Sequence, residues 1–543
     1  MPPPANAPDT SPFALRGRLV TLDPHNTVVA DGVLYIRDSV IEAVQPAGAP
    51  APPGFEDIGP VVSGGTIYPG LIELHNHLPY DVLQLWPVPK KYSNRSQWGG
   101  SRNPDYHRLV TGPMTVLGED PRLMPAVVRY VEAKALVNGT TTSQGIALFS
   151  NAGARRMYRG IVRNVEQTDD PALPEAGSRI ADVEAVDAAR FLARLRQPHR
   201  LLLHLAEGTD AAARAHFQAL EFQPGQWAIT ENLVGIHCTA LTGEDFRILA
   251  DHGGSMVWSP LSNLLLYGKT ADIAAAKQAG VLIGLGSDWA ISGSKGLLGE
   301  LKAARLASDA AGGVFSDREL VAMATRDAAT ILQWDQTLGS LRPGMRADLL
   351  TISGAAGDPY GSLIDAGDED IRLVTIDGVA RYGTRRLMTA LAPGAPLEDT
   401  ATGAPADHVL NLQQDSADPI VAGVTLAEAT SRLSHALHDL PALAARAAQP
   451  RVTARPDGDL HWQLALDEIR PTGAELRPRL ALRGNGGQPT GPQIATRLAR
   501  QDGLVPLSLD GLTASSDTAF LALLADEANL PDHFGAQLSD LLT

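Results

Sequence analysis

Runs of apolar residues alternate along this chain with segments whose apolar positions recur at helical spacing. Leu15 to Asp23 and Gly32 to Val44 read as β-strands, rich in β-branched residues and separated by turn signals at Pro24-His25-Asn26. The stretch Thr66 to Tyr80, TIYPGLIELHNHLPY, is an apolar run entered sharply at Pro69-Gly70 and closed by His75-Asn76-His77. Pro79 to Pro113 shows little periodicity. Pro121 to Val137 reads as a helix, Gly139 to Thr142 and Arg159 to Glu166 as strands, and Asp182 to Arg196 as a helix. Leu201 to His204, Leu233 to His237, Ser255 to Ser259 and Val281 to Asp288 are short apolar runs of the kind buried on both faces of a parallel sheet. Helical patterns at Glu244–His252 and Thr270–Ala279 separate the later ones.

Strand alternating with helix predicts right-handed βαβ units, hence an α/β fold with a parallel sheet or barrel. Seven strands of barrel type can be counted; an eighth either hides in Asp169 to Val183 or is absent. Leu297–Ala311 and Asp317–Leu332 read as helices, and Gly339–Ser353 and Ile371–Arg381 return to strand character. Leu391 to Ala406, rich in Pro, Gly, Ala and Thr, reads as a linker. Beyond it, 407–543 reads as an α+β extension. It has a helix at Leu426–Ala447, strands at Gly458–Ile469 and Leu476–Leu482, and a terminal helical pair. No internal repeat is visible.

Composition narrows the functional classes. The 543 residues carry 45 Lys+Arg against 61 Asp+Glu, a net charge of −16, which disfavours nucleic acid and anionic membranes as partners. A lone cysteine, Cys238, excludes an intramolecular disulfide. With no apolar run long enough for a membrane span and no signal-peptide pattern at the start, the expectation is a cytoplasmic protein. The partners expected are a small-molecule substrate and further copies of the same chain.

Chemistry concentrates where the apolar runs stop. On a strand, His75 and His77 point to one face, about 7 Å apart, while Asn76 points away. His204 ends a second run and is followed by Glu207; His237 ends another and Asp288 the last. In a barrel of parallel strands these ends meet at one mouth. Each residue alone has a bland reading, as a core histidine or a helix-start acid. Together, three imidazoles and a carboxylate suit one divalent cation, Zn²⁺ or alternatively Fe²⁺, with a position left for water. The aperiodic 79–113 segment, with Trp86, Trp98, Tyr92, Lys90, Lys91, Arg95, Arg102 and Arg108, suits a lid or substrate-binding loop as well as it suits a solvated excursion.

The motifs resemble the amidohydrolase superfamily, and within it the aminohydrolase/chlorohydrolase branch that includes nucleobase deaminases. They are Pro69-Gly70-Leu71-Ile72 into His75-Asn76-His77, Gly139-Thr140-Thr141-Thr142, His204-Leu205-Ala206-Glu207 and His237-Cys238. Ser259 to Asn263, Gly286-Ser287-Asp288, and Gly339 to Gly344 continuing to Leu349 follow in the same order.

The resemblance implies a metal-dependent (β/α)8-type barrel over 67–337. A β-sandwich built from 13–66 and 338–390 would flank it. It makes His75, His77, His204 and Asp288 the metal ligands, Glu207 the proton shuttle, and His237 the residue that polarises substrate or orients water. Asp288 would also take the first proton. No strand-end lysine is placed to bridge two metals, so a single ion is expected. The activity implied is attack of metal-activated water on an sp² carbon to cleave a C–N bond, by deamination of an amidine-like heterocycle. Hydrolysis of an amide or cyclic amide is the alternative, and a non-catalytic barrel used for assembly is a different class. Substrate contacts are expected from Tyr80, Trp86, Lys91, Arg95, Asn263 and Trp289. Residues 407–543 have no counterpart in the family and read either as an interaction module or as a structural appendage.

Overall fold

A computed structural model describes residues 11–99, 103–150, 154–400, 405–414, 418–421, 423–448, 461–466 and 503–543. Segments from before and after the parallel strands enter one nine-stranded mixed sheet. Its order is Leu397–Asp399, His408–Asn411, Val379–Thr384, Ile371–Ile376, Leu349–Ser353, Val61–Pro69, Phe13–Val20, Val28–Arg37, Val40–Pro46. Successive side chains point to opposite faces. Leu34 and Ile36 therefore enter one core with Leu15, Ile67 and Leu349, while Val33 and Tyr35 enter another with Ala14 and Phe55.

Several element boundaries correct the sequence expectations. The strand expected over Gly32–Val44 is a hairpin turning at Asp38 and Ser39, with φ of 48° and 70°. Ile371–Arg381 is likewise a hairpin, turning at Asp377-Gly378, a pair suited to the positive φ such turns require. Gly339–Ser353 is strand only over Leu349–Ser353. The helix expected over Asp317–Leu332 is two, Asp317–Met323 and Arg326–Ile331. Between them the Ala324 carbonyl accepts Ile72 N instead of a helical partner. The segment expected as a linker holds Leu397–Asp399, which pairs with His408–Asn411, so the sheet continues through it. Among the described residues of the extension, Trp462–Leu464 pairs with Ala147–Ser150. Leu476–Leu482 lies outside the described residues.

Apart from this sheet there are two parallel ladders. One joins Leu71–Ile72, Thr140–Ser143 and Arg163–Asn164. The other joins Gly177–Arg179, Leu201–Leu205, Leu233–His237, Ser255–Trp258 and Leu282–Leu285. Gly177–Arg179 falls within the segment where an eighth strand is expected to hide. Backbone hydrogen bonds bridge the ladders at both seams, from Ala176 N to Val165 O at 2.8 Å and from Leu74 N to Leu285 O at 3.2 Å. The later strands are buried throughout, as their unbroken apolar runs require. Helices follow them, several with strong local signals. Thr242 and Asp245 form a capping box at Gly243–Asp251, and Gly280 at φ 79° ends Ile273–Ala279. No helix among the described residues is long and apolar enough to cross a membrane.

The described residues of 79–113 are not a solvated excursion: they form short helical turns around buried Trp86, Tyr92, Trp98 and Tyr106.

Candidate metal centre

His75 and His77 lie past the first parallel strand rather than on it. That strand is only Leu71–Ile72, following the break at Pro69-Gly70. The following chain is held by Asp288, whose N–H donates to His75 O at 3.0 Å and whose carbonyl accepts His77 N at 2.6 Å. His204 lies in Leu201–Leu205 and His237 closes Leu233–His237, with Leu205 level with His237. Ala206, His237 and Asp288 have φ of 50°, 68° and 68°. Backbone in this region is costly for residues other than glycine and concentrates at functional sites. Here it turns the chain at three strand ends that face one cavity.

The ligand-type atoms of His75, His77, His204 and Asp288 all lie within 4.8 Å of one another, and all four residues are buried or nearly so. His75 Nε2 is 2.9 Å from Asp288 Oδ1, yet it makes no hydrogen bond. Second partners set the rings. His75 Nδ1 lies 2.8 Å from Gln144 Oε1, an atom that also accepts Asn76 N. His204 Nδ1 faces the Arg179 carbonyl at 3.4 Å. Because these partners are acceptors, the Nδ1 atoms carry the protons and the Nε2 lone pairs face the cage.

Burial, with neighbouring imidazoles and Arg95, pushes His204 well below its ordinary pKa, and burial lowers His75 against the opposing pull of Asp288. Burial works to raise the Asp288 carboxyl, but the imidazoles of His75, His237 and His77 overcome it and hold it below its ordinary value. Neutral imidazoles around an ionised carboxylate are the protonation states that metal coordination requires. The donor set and its closeness fit one divalent cation.

Asn76 turns away from the cage although these residues lie past the strand, held by its own side-chain partners. Its Nδ2 donates to Glu73 Oε2 at 3.1 Å and Asp81 Oδ2 at 3.2 Å.

A second cluster, His204, Glu207 and His237, shares the cavity. Glu207 receives donors on both oxygens: Tyr267 OH at 2.7 Å on Oε1 and Arg95 Nη1 at 3.4 Å on Oε2. Arg95 Nη2 also donates to Asp182, at 3.0 Å. His237 Nε2 is 3.9 Å from Glu207 Oε2, and its Nδ1 is 3.0 Å from Asn263 Oδ1.

One cavity is lined by His77, His204 and Asp288 of the cage and by Glu207 and His237. Of the residues expected to contact substrate, Tyr80, Arg95 and Trp289 line it. Trp86, Lys91 and Asn263 do not. Trp86 is buried against Tyr92 and Tyr106, Lys91 is exposed, and Asn263 instead orients His237.

Tyr106 and Tyr267 are site residues that the sequence reading misses, and Trp98 is noted there only among the aromatics of 79–113. Trp98 and Tyr106 form aromatic walls with Trp289, and Trp98 Nε1 donates to Tyr267 OH at 2.8 Å. Tyr267 sits on the helix Pro260–Tyr267, a stretch singled out only as the Ser259–Asn263 motif.

Glu300 fastens the base of the site. Its Oε1 accepts Leu261 N at 3.0 Å and its Oε2 accepts Ser294 Oγ at 2.6 Å. Burial pushes its carboxyl from 4.5 up to about 7. The folded state therefore binds more protons than the unfolded chain between these values, and stability falls as pH rises through that window. We expect Glu300→Gln to remove this loss. Its pH 7.5-minus-pH 4.5 unfolding free energy, from urea titrations, should exceed that of the wild type by about 3 kcal/mol. Parallel pH profiles for the two proteins would contradict the assignment.

Residues 200–381 match the Amidohydrolase family. A 5-methylthioadenosine/S-adenosylhomocysteine deaminase from Symbiobacterium thermophilum is 24% identical over 387 residues, covering 62% of this chain and 84% of that protein. Another, from Desulfitobacterium hafniense, is 27% identical over 362 residues, covering 60% and 82%. Among solved structures, atrazine chlorohydrolase from Arthrobacter aurescens TC1 complexed with zinc aligns with a TM-score of 0.53 at 19% identity, covering 78% of this chain and all of that one. Guanine deaminase from E. coli aligns with a TM-score of 0.51 at 18% identity, covering 68% and 99%. Motif order, the His/Asp cage and the match over 200–381 all carry the same likeness, to the amidohydrolase superfamily.

Proposed function

We propose that this protein is a metal-dependent hydrolase that cleaves a C–N bond at an sp² carbon, deaminating an amidine-like heterocycle in the manner of the aminohydrolase/chlorohydrolase branch. The observation that carries this reading is the pairing of two clusters in one cavity: His75, His77, His204 and Asp288 beside Glu207 and His237. On this reading the two parallel ladders form a closed eight-stranded barrel, and the cage holds a single Zn²⁺, the ion named for one similar structure.

A divalent cation bound there supplies Lewis-acid chemistry and brings the ionisation of water toward neutral pH. Every other task falls to side chains. Asp288 receives the proton released as water adds to the sp² carbon. Glu207, fixed by Tyr267 and Arg95, carries a proton to the leaving nitrogen, a general acid–base role. His237 presents Nε2 to the charge that develops on the tetrahedral carbon's substituents. The new C–O bond remains as a carbonyl, the C–N bond breaks, and ammonia departs. Tyr80, Trp98, Tyr106 and Trp289 give the cavity flat aromatic walls suited to a planar ring.

Ammonia release from a panel of amino-substituted purines, pyrimidines and triazines tests the reaction. The expected result is zinc-dependent ammonia from at least one ring. Cleavage of amides or cyclic amides, with no ammonia from any heterocycle, would reverse the assignment.

A further inference from the structure

The segment 503–543, outside the family resemblance, reaches the loops that carry the cage. Asp510 is buried and pairs with two buried lysines, Lys134 and Lys295; Lys295 Nζ lies 2.6 Å from Asp510 Oδ1. Lys295 belongs to the loop that follows Asp288, and also meets Asp517 at 3.1 Å. Lys134, on the helix Met124–Val137, donates a second hydrogen bond to the Asp81 carbonyl at 2.8 Å. The backbone joins in: Asp510 N donates to Val82 O at 3.1 Å, and Leu509 bridges Leu83.

Asp81 completes the path. Its Oδ1 accepts Ala290 N at 2.7 Å, two residues past Asp288, and its Oδ2 accepts Asn76 Nδ2, between His75 and His77. Farther along, Asn529 Nδ2 donates to Val88 O at 3.3 Å and to Leu265 O at 3.0 Å, so the same segment also ties the aromatic turns to the helix bearing Tyr267.

An anion enclosed between two cations and fixed by backbone bonds has one arrangement. Removing its charge leaves Lys134 and Lys295 buried without their shared counter-ion. We infer that Asp510 is a positioning residue, and that the C-terminal segment is a built-in part of the catalytic centre. It holds the His75–His77 chain and the loop after Asp288 at the separation the cage needs. Neither an independent interaction module nor an inert appendage would place its one fully buried carboxylate at that junction.

Two full-length variants test this. Asp510→Asn removes the charge. Lys134→Met combined with Asp510→Asn removes the tether while leaving Lys295 paired with Asp517, which keeps the test available if the single variant fails to fold. Amide hydrogen exchange of metal-free protein reads the positioning directly, independently of the reaction proposed above. Faster exchange confined to 76–88 and 286–296, with 243–251 unchanged, is the expected result. In zinc-loaded protein the same variants should release zinc to a chelator roughly tenfold faster at equal fraction folded, in the range seen when a ligand's supporting residue is lost. Exchange changes limited to 503–543, or spread evenly over the molecule, would overturn the inference. Absence of zinc from the wild type would overturn the metal reading alone and leave the exchange experiment to decide the role of Asp510.

Discussion

Glu207→Gln should purify with its full complement of metal and lose turnover by a factor of roughly a hundred to ten thousand, the usual contribution of a positioned acid–base group. The side chain stands outside the four-residue cage, so the substitution removes no ligand. Gln has nearly the same shape, and its carbonyl can still accept Tyr267 OH, which is 2.7 Å from Oε1 in the native site. What it lacks is an oxygen that can take up and hand on a proton. The check is kcat alongside metal stoichiometry on the same preparation. A rate near wild type would remove Glu207 from the reaction; a metal-free variant would mean that the cage extends to it.

Asp288→Ala should lose both turnover and metal. Asp288 is the one anionic donor of the cage, and its neighbours His75 and His204 are held neutral chiefly by burial. Its Oδ2 also accepts Ser262 Oγ at 2.6 Å, so the alanine removes that bond and leaves the buried hydroxyl with Ser292 Oγ alone. Losing a residue that only supports a ligand typically costs about 10–100-fold in metal affinity, and loss of the charged donor itself should exceed that. Chelator competition on the folded variant measures it. Unchanged affinity would place the ion elsewhere.

How much of the site is legible in the amino-acid sequence follows from the physics of each residue. His204, Glu207, His237 and Asp288 stand out because buried parallel strands are written as unbroken apolar runs, and a polar residue ending such a run is conspicuous. The partners that orient them are not legible. Gln144 and Tyr267 meet His75 and Glu207 across 69 and 60 residues of chain, and nothing local marks a glutamine or tyrosine as the one that will arrive.

The same limit explains the mixed result over 79–113. Aromatic content there signals function, but a segment without periodicity has no face, so Trp86 and Trp98 cannot be told apart. One is packed behind the cavity wall and the other forms it. The linker reading of 391–406 fails for a related reason. Pro and Gly mark irregular chain, yet three residues at 397–399 suffice to add a strand to an existing edge. Asp510 has no local signature at all; its meaning lies in two lysines more than two hundred positions away.

Anomalous diffraction at the zinc edge, on crystals of protein purified with zinc, tests the cage most directly. One strong peak is predicted, about 2.0–2.2 Å from a nitrogen of each of His75, His77 and His204 and from a carboxylate oxygen of Asp288. A fully folded molecule with no peak among these four side chains, or with its peak elsewhere, would contradict the account.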